Sequence, residues 1–114
     1  MRKLGIEHKL VICGGKGWLK EYERITKIVS ELGIGEHIIF TGYVLDEDIA
    51  GIYSMADLFV YPSIYEGFGF PPLEAMACGC PVITSNTSSL PEVVGQAAIM
   101  VNPSDIKELT NAMY

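Results

Sequence analysis

Five short apolar blocks recur along the chain: KLVIC (9–13), HIIFT (37–41), LFVY (58–61), VIT (82–84) and AIMV (98–101). Each is bounded by Gly, Pro or Asn, and none shows the apolar–polar alternation of a half-exposed strand, so all are predicted to be strands buried on both faces. The stretches between them carry apolar residues at helical spacing. Strand and helix in turn imply a parallel sheet covered by helices, an α/β chain. With 114 residues there is room for one sizeable hydrophobic core and not for two.

Leu19, Tyr22, Ile25, Ile28, Val29 and Leu32 recur at intervals of three and four and predict an amphipathic helix ending at Gly33. A second helix is predicted over 46–55 with Ile49, Ile52 and Tyr53 inward. A third starts at Pro71, where the first turn needs no N–H from proline, and ends near Gly79. Residues 90–94 form a short helix and the last helix starts at Ser104. The opening MRKLGI reads as the last turn of a helix, and Tyr114 falls inside a helical pattern without a stop signal, so both ends are expected to be cut.

Eight Lys and Arg against fourteen Asp and Glu give a net charge of -6, the wrong sign for neutralising nucleic-acid phosphates. No apolar run approaches the ~20 residues of a membrane span, and the amino terminus lacks the apolar core of a secretory signal, so a cytoplasmic location is expected. Cys13, Cys78 and Cys80 make an odd count in apolar surroundings, which predicts buried thiols rather than a disulfide framework.

In a parallel α/β sheet ligands collect beyond the carboxyl ends of the strands. Gly14-Gly15-Lys16-Gly17 follows the first strand, and its glycines permit unusual backbone angles close to a ligand. A tight turn with Lys16 in solvent is an equally good reading. The segment from Ser63 to Glu74, SIYEGFGFPPLE, points further. Here a strand ends, a glycine–aromatic loop offers backbone amides, and a helix opens with its dipole toward the same spot, an arrangement that suits an anion such as a diphosphate. Glu66 and Glu74 flank it eight residues apart, and carboxylates accept the paired hydroxyls of a ribose or hexose well. Of Phe68 and Phe70, one is expected to close over a ligand and the other to pack inward. Asp46-Glu47-Asp48 resembles a metal-binding DxD but opens a helix, where Asp46 suits the N-cap and the other two suit the dipole. No metal is expected.

The stretch from Leu58 to Pro103 resembles the donor-nucleotide domain of retaining GT-B glycosyltransferases, specifically glycosyltransferase family 4. The E-x7-E element stands as Glu66 to Glu74 in YEGFGFPPLEAMACGCPVI, with GIYSMADLFVYPS before it and SNTSSLPEVVGQAAIMVNP after it in the family's order. The resemblance extends from LVICGGKGW onward. It implies a Rossmann-like three-layer α/β/α fold, one partial domain over 1–114. It also implies that Glu74 holds the ribose hydroxyls and that Glu66 lies against the donor sugar near its reacting carbon. Gly67, Phe68, Gly69 and Phe70 would turn their amides to sugar and diphosphate, with Leu73 adding its own at the helix start. Tyr43, Val44 and Leu45 would meet the base, and Gly14, Gly15 and Lys16 the diphosphate side. The reaction implied is transfer of a hexosyl group, with a lean to mannosyl, from a GDP- or UDP-linked sugar to the hydroxyl of a glycan, lipid or small molecule. No cofactor beyond that substrate is implied, and the full-length enzyme would work in the cytoplasm or at the membrane surface.

The family's domain begins with a central strand and a helix bearing an Arg and a Lys, and neither element is in this sequence; nor is the acceptor-binding N-terminal domain. In the usual doubly wound order the absent strand lies between the first and third visible strands. Another copy of the chain, a rearranged pairing or a separately supplied segment is expected to fill that edge, and the chain alone is expected to show no turnover. Two other readings are a non-catalytic nucleotide-binding or assembly module and a sugar-nucleotide epimerase of the same architecture.

Overall fold

The computed structural model of the chain describes residues 7–15 and 19–114. Its contacts cluster into two compact units, Met1–Asp46 and Glu47–Tyr114.

The first unit contains β1 (Leu10–Cys13), α1 (Leu19–Leu32), a 3-10 turn (Gly35–His37) that the sequence reading did not include, and β2 (Ile38–Gly42). β1 and β2 are parallel, with Leu10 opposite Ile38 and Ile12 opposite Phe40, and the register shifts after Ile12. α1 ends where its spacing predicts. Gly33 takes a left-handed φ of 62°, its N–H bonds the Ser30 carbonyl, and the Ile34 N–H bonds that of Val29, which satisfies the last turn as a Schellman motif. Tyr22 of α1 meets Phe40 of β2 edge to face, ring centroids 5.2 Å apart. No residue of α1 is fully buried, and Leu10, Val11 and Ile39 stay exposed, so the strands here are not covered on both faces as their composition predicts. Cys13 is exposed for the same reason, contrary to the expectation of a buried thiol; Cys78 is half-buried, and only Cys80 is buried. The terminal helical turn read in MRKLGI lies outside the described residues.

α2 (Asp46–Met55) leads into the second unit, which holds β3 (Phe59–Tyr61), α3 (Phe70–Ala77), β4 (Val82–Ser85), α4 (Leu90–Val94), β5 (Ile99–Val101) and α5 (Ile106–Ala112). The three strands are parallel in the order β3-β4-β5. The core sits around β4. All four of its residues are buried, and Tyr53, Ala75, Cys80 and Val82 pack as one cluster with Ile49, Phe59 and Met76 against it. α5 opens two residues later than predicted because Asp105 is its N-cap, its carboxylate accepting from the Lys107 and Glu108 amides.

The strands thus form two sheets, β1-β2 and β3-β4-β5, rather than one. Among the described residues β1 pairs only with β2 and β3 only with β4, so each keeps one edge of unpaired backbone groups.

Candidate functional site

In the second unit the site is built where β3 ends and α3 begins. Phe59 and Tyr61 lie on one face of β3, two residues apart, their rings stacked with centroids 5.8 Å apart. The strand stops at Pro62, and the loop that follows carries Glu66 back toward Tyr61. Its half-buried carboxylate receives two hydrogen bonds on the same oxygen: the Tyr61 phenol donates to Oε1 at 2.5 Å and the Ser63 hydroxyl at 2.8 Å. Burial pushes the Tyr61 phenol above its ordinary range, and the adjoining Glu66 carboxylate pushes it further the same way. Tyr61 therefore stays protonated, a fixed donor.

The backbone of Glu66 is held separately by the loop after β4. Its N–H donates to the Ser88 oxygen at 3.2 Å, and its carbonyl accepts from the Ser88 hydroxyl at 2.7 Å and the Ser89 hydroxyl at 2.9 Å. Ser89 also lies 3.0 Å from the Phe68 carbonyl, and Thr87 donates to that of Ile64 at 3.2 Å. Ser88 reaches this position with φ at 59°, an angle that L-residues other than Asn and Asp seldom take.

Gly69 caps α3 with a left-handed φ of 101°. Phe70 is the first helical residue and Pro71 and Pro72 have no N–H, so the helix start offers the amides of Gly69 and Phe70 alone. Leu73 stands at the fourth position of α3, where the helix's own ladder begins. Phe68 and Phe70 are both exposed, rings 4.7 Å apart and tilted by 43°, so neither packs into the core as one was expected to. Gly67 is exposed between Glu66 and this pair. Glu74 is also exposed, and the Tyr53 phenol lies 3.4 Å from its Oε2. The structure thus gathers Glu66, Gly67, Phe68, Gly69, Phe70 and Glu74 around one loop and helix start.

The remaining predicted residues belong to the first unit. Gly14 and Gly15 follow β1 and line a cavity of about 600 Å³, with Tyr22, Phe40 and Glu21 also on its wall. That is the size of a small-molecule pocket. The Gly14 N–H bonds the Gly42 carbonyl at 3.0 Å, and a Cβ on Gly15 would lie 3.9 Å from that of Tyr43. Tyr43 and Leu45 are exposed and Val44 is half-buried. Lys16 lies outside the described residues. Asp46 is itself the first residue of α2 rather than its cap, and among the described residues no three His, Cys, Asp or Glu side chains group as a metal site.

Tyr61, Ser63, Ser88 and Ser89 are the participants that the sequence reading missed. Tyr61 and Ser63 had a visible signal, alternate positions at a strand end just before the first glutamate. Ser88 and Ser89, twenty-two and twenty-three residues beyond Glu66, lie in the SNTSSLPEVVG stretch, whose spacing did not tie them to Glu66.

The two carboxylates at this loop-to-helix junction stand beyond the carboxyl end of a parallel strand, where α/β sheets bind their ligands. The family model for glycosyl transferases group 1 matches residues 1–114, and the chain belongs to that family. It is 46% identical over 106 residues to O-antigen chain mannosyltransferase B of Escherichia coli, covering 92% of this chain and 27% of that protein. Among solved structures, sucrose-phosphate synthase from Thermosynechococcus elongatus superposes with a TM-score of 0.83 at 36% identity, over 92% of this chain and 28% of that one. Anabaena HepE in complex with UDP-glucose gives 0.84 at 25% identity, over 90% and 29%. The chain therefore spans between a quarter and a third of each of these proteins, and its fold is that of part of a GT-B glycosyltransferase.

Proposed function

We propose that this chain is the donor-binding part of a retaining hexosyltransferase that moves a mannosyl group from a nucleotide diphosphate sugar to an acceptor hydroxyl. The observation that carries the reading is the placement of Glu66 and Glu74 on either side of the amide-bearing junction at Gly67–Phe70. Glu74, exposed on α3, takes the ribose hydroxyls. Glu66, with Oε1 already engaged, turns its other oxygen to the donor sugar. The Gly69 and Phe70 amides, with the α3 dipole behind them, stabilise the negative charge that grows on the departing diphosphate as the anomeric carbon becomes oxocarbenium-like. Residues of the first unit, Gly14, Gly15, Tyr43, Val44 and Leu45, are assigned base and diphosphate contacts. The printed name of the E. coli relative supports mannose, and the UDP-glucose complex of HepE supports a nucleotide-sugar donor.

The unpaired edges of β1 and β3 favour donor binding without turnover for this chain alone, since the loops of the site follow strands that, among the described residues, are paired on one edge alone. Calorimetric titration of the chain with GDP, GDP-mannose, UDP and UDP-glucose tests the reading, with Glu74→Ala as control. Saturable binding of one nucleotide series that weakens about tenfold or more in the variant is expected. A folded chain that binds none of the four would overturn it and leave the assembly-module reading standing.

A further inference from the structure

Two tyrosines stand behind the two glutamates. Tyr53 on α2 packs edge to face on Phe59 of β3, centroids 5.1 Å apart, and Phe59 stacks on Tyr61. This aromatic column ends in a phenol at either side, Tyr53 near Glu74 at 3.4 Å and Tyr61 on Glu66 at 2.5 Å. The second contact is the short one, and Ser63 reinforces it at 2.8 Å on the same oxygen. Among the described residues no hydrogen-bond partner reaches the other oxygen, Oε2.

We propose that Tyr61 is a positioning residue for Glu66: its phenol, with the Ser63 hydroxyl, occupies Oε1, fixes the side-chain rotamer and leaves Oε2 as the face that meets the donor sugar. The sugar contact rests on the donor-binding reading above; the positioning itself does not. A carboxylate on an exposed loop would otherwise sample several rotamers, and ordering it in advance removes that cost from ligand binding. The backbone supports the same division of labour. Ser88 and Ser89 hold the Glu66 main chain, and Thr84 ties the Tyr61 carbonyl to β4 at 3.0 Å, so the phenol is left to act on the side chain. Tyr61→Phe keeps the ring stack on Phe59 and removes only the donor.

The test uses the full chain with 13C-labelled glutamate. In Tyr61→Phe the relaxation of the Glu66 side-chain carboxyl carbon is expected to report a loss of order, greater still with Ser63→Ala added, while Glu74 is unchanged. A folded double variant with unaltered Glu66 order overturns the proposal. Calorimetry with GDP-mannose against GDP, and UDP-glucose against UDP, then separates positioning from bulk structure. Tyr61→Phe is expected to cut the affinity for the nucleotide sugar by about tenfold and to leave that for the bare nucleotide in place. Equal losses for both overturn the sugar-facing role. If the wild-type chain binds none of these ligands, the donor-binding reading fails while the relaxation result still decides whether Tyr61 orders Glu66.

Discussion

A Cβ placed on Gly69 would stand 2.7 Å from Cδ2 of Leu90, a residue of α4 with no solvent exposure. Both the left-handed φ of Gly69 and this contact oppose any side chain. Gly69→Ala is therefore expected to destabilise the fold by ~2 kcal/mol or more, since a fully buried Leu90 has no space to retreat into. Gly67, two residues earlier, has nothing within 4 Å of its would-be Cβ. Gly67→Ala should leave the melting temperature nearly unchanged, and thermal denaturation of the two variants side by side checks the contrast.

Ser88 is expected to respond differently to its two smallest replacements. Ser88→Ala loses both hydrogen bonds to the Glu66 backbone and keeps the strained φ of 59°, a loss of about 1–2 kcal/mol. Ser88→Gly loses the same bonds but relieves the left-handed angle, recovering ~1 kcal/mol. Chemical denaturation should rank the wild type first, glycine second and alanine last.

The hydroxyl of Ser85, at the end of β4, is buried with no hydrogen-bond partner among the described residues. Removing it deletes a desolvated polar group and no bond. Ser85→Ala is expected to be as stable as the wild type or up to ~1 kcal/mol more so, read as a higher denaturation midpoint.

Alkaline pH should weaken the second unit through Tyr61. Its phenol titrates above the ordinary value of 10.0 because burial and Glu66 disfavour the phenolate, so the folded chain binds this proton more tightly than the unfolded one. The associated stability is complete below pH 10 and is lost progressively as pH rises through the folded value. Tyr61→Phe removes this contribution. Denaturation midpoints at pH 8 and pH 10.5 should fall in the wild type by more than in the variant, and equal falls would exclude Tyr61 as the source.

The sequence made the second unit almost fully legible and the first only in outline. Val82–Ser85, flanked by Cys80-Pro81 and Asn86, carries a pattern that burial on both faces explains, and the prediction missed only Ser85. β1 and β2 were placed within one residue, yet their apolar residues remain exposed, because periodicity reports the environment a strand is suited to and not whether a neighbour is present to provide it. At the site the two glutamates and the glycine–aromatic loop were visible as spacing. The hydroxyls behind Glu66 were not, since the Ser88 and Ser89 contacts depend on how the loop after β4 returns to the loop after β3.

β4 lies between β3 and β5 with every residue buried, whereas the β1–β2 pair has a single ladder and an exposed surface. In the language of amide exchange, β4 is expected to open most slowly and the two-stranded pair faster. The bearings of Glu66 are drawn from the slow side: Ser88 and Ser89 follow β4 directly, and Tyr61 is on the strand paired to it. The Glu66 carboxylate is thus anchored beside the strand whose residues are all buried, so its geometry is expected to persist while less deeply held segments fray.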